Sequence, residues 1–146
     1  MYLGTVTQSI ALVAVAPVAG RLSDRLGRRK VFVMSAAATY AVALFVIASA
    51  STVSGYLVGM GLGGLGFGMY MAVDLALVVD ILTDPLTAAK DLGVLNIAGA
   101  LPFALAPALA PTLLAAGNGS YAVLYAVAGA CALAGGAAAA PIRGVR

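Results

Sequence analysis

The sequence predicts an all-α protein, a polytopic helical bundle with about five transmembrane helices. Composition is the first reason. Of 146 residues, 63% are hydrophobic and 9% are charged, and Glu, His and Trp are absent; a soluble surface needs about a quarter of its residues charged. Run length is the second, because apolar stretches recur that approach the ~20 residues a helix needs to cross about 30 Å of hydrocarbon. The third is texture. These stretches are rich in Ala, Leu, Val and Gly without alternation, whereas a membrane barrel shows alternating segments of about 10 residues.

Spans are expected at 3–19, 31–50, 53–79, 93–116 and 120–141, within a single unit covering 1–146. The first is read as a retained helix, because a cleaved leader carries its basic residues before the apolar core and here they follow it. The second contains neither charge nor amide. The third is the longest and carries Gly59-Met-Gly-Leu-Gly-Gly-Leu-Gly-Phe-Gly68. Gly55, Gly59 and Gly63 recur there at i, i+4 and i+8, a small-residue seam that lets a neighbouring backbone approach. A phosphate-cradling loop is excluded, since no strand precedes the glycines and no Lys-Ser/Thr follows them. The fourth span holds Pro102, Pro107 and Pro111; each removes a backbone donor, so this helix is expected to be bent and buried among others. The fifth carries Cys131, the sole cysteine. It is read as apolar filler, and no disulfide framework exists.

The basic residues give the expected orientation. Arg21, Arg25, Arg28, Arg29 and Lys30 fall in the first connection, Lys90 in the third, and Arg143 and Arg146 after the last span; the second and fourth connections have none. Lys and Arg in short loops are retained on the cytoplasmic side. The expectation is a multi-pass protein of the cell (cytoplasmic) membrane, N-terminus outside and C-terminus cytoplasmic. The net charge of +3 then reports topology, and no nucleic-acid partner is expected.

The first connection reads Gly20-Arg-Leu-Ser-Asp-Arg-Leu-Gly-Arg-Arg-Lys30. It is too short for a domain and is read as a tight cytoplasmic turn. Gly20 and Gly27 permit close approach and positive φ, Asp24 caps or bonds locally, and Arg21, Arg25 and Arg28 surround it. A plain positive-inside anchor needs only basic residues and leaves the acid and the two glycines unexplained.

Gly20, Leu22, Ser23, Asp24, Arg25, Gly27, Arg28, Arg29 and Lys30 closely resemble the loop motif of the major facilitator superfamily of secondary transporters, G-x-L-[AS]-D-R-x-G-R-R/K, with Leu26 standing where the family often has an aromatic residue. The resemblance implies a conformational latch of Gly20, Asp24, Arg25, Gly27, Arg28 and Arg29 that closes the cytoplasmic side in the outward-facing state. That is a charge contact made in one state and broken in the other. In the family the motif follows the second or the eighth helix. Residues 74–110, especially Ala88 to Pro102 and Leu105 to Pro111, look like the tenth-to-eleventh-helix region of sugar-type members, the glycoside/sucrose-proton symporter-like branch. The chain's end soon after the fifth span, beside the basic connections, is expected of a natural C-terminus. Together these imply a fold resembling helices eight to twelve. They also imply a partial chain that works with a missing N-terminal bundle of the same transporter, or with another chain.

Polar residues inside the spans supply candidate contacts for solute or proton. An acid at mid-helix costs roughly 2.5–3.5 kcal/mol on insertion scales, and Asp74 is the one acid well inside a run. Tyr70 lies one turn before it on the same face. Asn96 in the fourth span shares a face with Gly99, Ala100, Phe103 and Pro107, and Gln8 in the first with Thr5 and Ser9. Helix-to-helix hydrogen bonding is the plainer reading of Gln8 and Asn96; for Asp74 it is a structural or interfacial acid. Tyr40, Tyr56, Tyr121 and Tyr125 read as packing or interface aromatics. Spans one, three and four thus carry polar faces, as the resemblance implies for cavity-lining helices.

In the third connection Asp84-Pro85 reads as a turn, Asp91 as a cap for the fourth helix, and Asp80 with Asp84 as solvated acids. No metal or cofactor is expected. An enzyme is not expected either: His is absent, Cys131 is isolated, and no Ser sits in a G-x-S-x-G setting. The expected partners are the lipid bilayer and a small-molecule solute, the best guess being a sugar moved with protons by alternating access. The alternative is a non-transporting membrane interaction or scaffold protein, or a degenerate half-transporter.

Overall fold

The computed structural model describes residues 2–27, 29–81 and 88–138. They form five helices: α1 (Tyr2–Leu26), α2 (Arg29–Ser49), α3 (Val53–Ile81), α4 (Ala88–Ala116) and α5 (Tyr121–Ala138). All five contain segments long and apolar enough to cross a membrane, and no strand occurs among the described residues.

Local chemistry ends α1 and α4 sharply and starts α3. α1 runs past the expected end of its span, through Pro17 and the basic stretch, and stops only at Gly27. There φ is +58°, and the Gly27 N–H donates to the Ser23 carbonyl at 3.0 Å, the left-handed glycine cap of a helix C-terminus. Thr52 caps α3, its Oγ1 accepting from the Gly55 N–H at 3.2 Å. α4 ends on Asn118 at φ +51°, with Gly119 N–H donating to Leu114 O at 2.7 Å and Asn118 N–H to Ala115 O at 3.2 Å. Those two bonds make a Schellman motif with Asn in the left-handed position. Hydroxyls within the helices bond back to their own turns, as Thr7 to Leu3 O and Thr39 to Ser35 O do, so they cross hydrocarbon with their donors occupied.

Close approach of backbones at glycine holds α1, α2 and α3 together. On α3, Gly59, Gly63 and Gly66 face α2: a Cβ added to Gly66 lies 2.8 Å from Tyr40 N and 3.0 Å from Ala36 O. At 100° per residue, Gly61, Gly64 and Gly68 lie nearly opposite, and they face α1, where a Cβ on Gly68 lies 2.9 Å from Leu12 O. Of the expected seam, Gly59 and Gly63 meet α2, whereas Gly55 meets only the adjoining Ala50 and Thr52. α3 is therefore clasped on two sides. Contacts climb together on α1 and α3 (Gly4 with Tyr56, Leu12 with Gly68, Gly20 with Ala72), so these helices are parallel. α2 runs antiparallel to α3 (Ile47 with Gly59, Ala36 with Gly66), and α5 antiparallel to α2 (Phe45 with Gly129, Ala37 with Gly136).

The core is correspondingly small in side chain: Ala19, Ala36, Ala41, Ala43, Leu44 and Val73 are its buried hydrophobics, while large residues such as Phe103, 84% exposed, point outward. That inverts the soluble pattern, because lipid tails are as apolar as Leu and helices associate through close packing of small residues.

α4 corrects the expectation of a buried proline helix. It runs unbroken from Ala88 to Ala116 with all three prolines inside. Among the described residues it touches only α5, and none of its most apolar segment is buried. The cause is legible in its glycines: added Cβ atoms at Gly93 and Gly99 meet nothing, so α4 presents no seam to this bundle. Asp91 is likewise no cap from outside, because the helix begins at Ala88 and Asp91 lies within its first turn.

Candidate functional site

The stretch from Gly20 to Lys30, where α1 passes into α2, carries five of the chain's eight basic residues. Since α1 stays helical to Leu26, residues 20–26 are held at helical spacing, and the helix is broken at Gly27. Gly20 is not a turn residue. It sits inside α1 facing Ala72, where an added Cβ makes an ordinary 3.8 Å contact. Arg21 and Arg25, four residues apart, share an exposed face with Val18 and Leu22 and border a shallow cavity of about 290 Å³. Asp24 is also exposed.

On the packed side, Ser23 is 2% exposed, and its Oγ has no hydrogen-bond partner among the described residues. A buried hydroxyl left unsatisfied is unfavourable by about 1–3 kcal/mol, and sequence reasoning passed over it because Ser at that position simply fitted the motif. α2 then opens with Arg29 and Lys30. Arg25 in the last turn of α1 suits the helix dipole, whereas cations in the first turn of α2 oppose it.

Arg28, Asp84, Pro85, Arg143 and Arg146 lie outside the described residues, as do the side chains of Arg29, Lys30, Asp74, Asp80 and Asp91.

The intramembrane candidates occupy separate places. Gln8 is half-buried beside the α1–α3 seam and borders a small cavity of about 100 Å³ with Tyr40, Met60 and Tyr125. Tyr70 is 39% exposed and lines a larger cavity of about 430 Å³ between α2, α3 and α5, together with Tyr40 and Phe67. The Tyr40 and Phe67 rings are tilted 45° at 6.5 Å, an attractive aromatic geometry. Asn96 is exposed on α4, away from both. Tyr40 and Tyr125, read from sequence as packing or interface aromatics, also line these cavities.

Five apolar helices, with α1 parallel to α3 and α2 antiparallel to α3 and α5, and with a cationic, glycine-capped turn between α1 and α2, define a multi-pass helical membrane protein. Residues 2–144 match the family profile of the Major Facilitator Superfamily, and the chain belongs to that family of membrane transporters. No curated protein matches significantly, and neither does any solved structure.

Proposed function

We propose that the chain is the C-terminal portion, helices eight to twelve, of a secondary transporter of the cell membrane that moves a small solute by alternating access. A sugar carried with protons is the solute chemistry we favour, on the likeness of residues 74–110 to sugar-type members. The N-terminus is outside and the C-terminus cytoplasmic, with the remaining bundle supplied by the same transporter or by another chain.

The observation that carries this reading is the α1–α2 turn. Asp24 and Arg25 ride on a rigid helix end one turn from a glycine held at φ +58°, so their charges move with α1 as a body. A charge contact between Asp24 or Arg25 and the neighbouring bundle, made in one state and broken in the other, biases a two-state equilibrium. Two further features support it. α1 and α3 are parallel, so the basic turn and the third connection emerge on one side of the bundle, as positive-inside placement requires. α4, with almost no contact inside the chain, is free to pack against a partner bundle. Asp74, Tyr70, Asn96 and Gln8 are the residues we assign to solute or proton.

The test is accessibility of a cysteine placed in the cytoplasmic half of α4 in the full transporter, read with a membrane-impermeant thiol reagent after Cys131→Ala. Asp24→Asn raises its rate of labelling if the turn is a latch; an unchanged rate reduces the turn to an anchor. Solute-driven proton uptake by Asp74→Asn tests coupling separately, and unchanged uptake removes Asp74 from that role.

A further inference from the structure

Gln8, Tyr40 and Tyr125 are the polar side chains around the small cavity inside the bundle, and they come from three different helices. Gln8 stands on α1, Tyr40 on α2 and Tyr125 on α5. The floor is packed core: Leu44 and Gly63 are buried, and Met60 is half-buried beside them. Among the described residues α1 and α5 make no contact, so Gln8 and Tyr125 flank a space between their helices rather than a packed seam.

The chemistry of these walls does not match their depth. Tyr40 is the middle residue of the span Val31–Ser49, about 14 Å along the axis from either end. A phenol hydroxyl both donates and accepts, and an amide offers two donors and two lone pairs. In hydrocarbon such groups need partners. The hydroxyls of Thr7, Ser35, Thr39 and Thr112 find them in carbonyls of their own turns. A tyrosine hydroxyl, at the end of a rigid ring, cannot reach back that way. The Gln8, Tyr40 and Tyr125 side chains make no hydrogen bond to protein among the described residues.

Volume decides the occupant. A cavity of about 100 Å³ takes about three waters at about 30 Å³ of liquid each. It is well below the roughly 300–1,000 Å³ of small-molecule pockets, and no helix, about 10 Å across, fits in it. A few methylenes of a lipid tail would fit, but they would leave the amide and both hydroxyls without partners. A buried water makes about three hydrogen bonds to polar groups that lack them, and these walls supply such groups from three sides.

We propose that this cavity is a hydration site within the membrane, in which about three ordered waters join Gln8 to Tyr40 and Tyr125 and so tie α1 to α2 and α5. The contact between these helices is made through water, which serves nearly as well as a direct hydrogen bond. The site needs neither a solute nor a partner bundle, so it does not depend on the transport reading.

X-ray radiolysis footprinting of the chain in phosphatidylcholine nanodiscs tests this. The beam makes hydroxyl radicals wherever water sits, and a membrane-impermeant scavenger removes those formed in bulk. Oxidation is read by mass spectrometry, each residue's rate being taken relative to the same residue in the SDS-unfolded chain. The expected result is oxidation of Met60, Tyr40 and Tyr125 well above that of Phe103, exposed on α4, and of Phe67, in the neighbouring apolar groove. Gln8→Leu keeps an apolar side chain in place and removes its hydrogen bonds, and lowers the Met60 and Tyr40 rates by about fivefold or more, a factor of five being about one net hydrogen bond. Tyr125→Phe removes one hydroxyl from the opposite wall and lowers the same two rates. Should Gln8→Leu raise the Phe67 and Phe103 rates, it has lost its fold, and Tyr125→Phe decides. Rates at Met60, Tyr40 and Tyr125 as low as those of the two phenylalanines overturn the proposal, because hydrocarbon then fills the cavity. Raised rates that neither variant lowers also overturn it, because bulk water then enters without being held by these side chains.

Discussion

Gly66→Ala measures how closely α2 and α3 approach. The new methyl lies 2.8 Å from Tyr40 N, 3.0 Å from Ala36 O and 3.0 Å from Tyr40 Cα, where ordinary contact begins at 3.4 Å. All three neighbours are backbone, so no rotamer change relieves the clash, and α2 must retreat as a rod by about 0.6 Å. A gap of 0.5–1 Å forfeits about a quarter to a half of each contact's attraction, and overpacking of this kind costs about 1–3 kcal/mol. The gain in helix propensity from Gly to Ala, at most about 1 kcal/mol, offsets part of it. Gly99→Ala on α4 is the matched control, since its methyl meets nothing and only the propensity gain remains. The two variants should therefore differ by about 1–3 kcal/mol, with Gly66→Ala the less stable. Titration with SDS in mixed micelles, followed through the near-ultraviolet tyrosine signal, reads the difference. Equal stability of the two variants refutes the backbone contact on which the fold's packing rests.

Gly27→Ala should destabilise by about 1 kcal/mol, because a Cβ at positive φ is disfavoured by roughly 1–2 kcal/mol and reduced chain entropy returns part of that; Gly27→Asn should stay near the parent, and the same SDS titration separates them. Thr52→Ala removes the cap on the Gly55 N–H and should cost about 1 kcal/mol, with faster amide exchange confined to the first turn of α3. Ser23→Ala deletes a buried hydroxyl without a partner among the described residues and should be neutral or stabilising by about 1 kcal/mol; a loss of stability would mean the hydroxyl is bonded.

How much of this was legible in the sequence follows from which forces act over one helix and which act between two. Five helices were legible because hydrocarbon forces every backbone donor into a helix, whatever the neighbours do. The end of α1 was not. The expected span stopped where charge begins, whereas the helix stops where the backbone is broken, at Gly27, so charge marks the membrane surface and glycine marks the turn. Likewise Gly55, Gly59 and Gly63 stood out by spacing, but the same helix encodes a second face, Gly61, Gly64 and Gly68, half a turn round. A single period picks one stripe, and only a partner on each side reveals two. The candidate site was legible as residue types and not as a place, since Gln8, Tyr70 and Asn96 are brought to three different surroundings.

The energetics of the bundle bear on its ability to move. α1 and α2 are locked to α3 by backbone contacts that tolerate no added methyl at Gly64, Gly66 or Gly68, and α5 is keyed to α2 at Gly136. In water an α4 left outside that block would be driven onto it by its apolar surface. In lipid that drive is absent, and α4, which has no glycine seam facing the block, gains little by docking there. The chain therefore divides into a stiff four-helix body and one helix whose position is decided by whatever lies beyond it. On the alternating-access proposal that division has a use: the charges of the α1–α2 turn would move with the four-helix body, and a shift of α4 against it would break no packed seam.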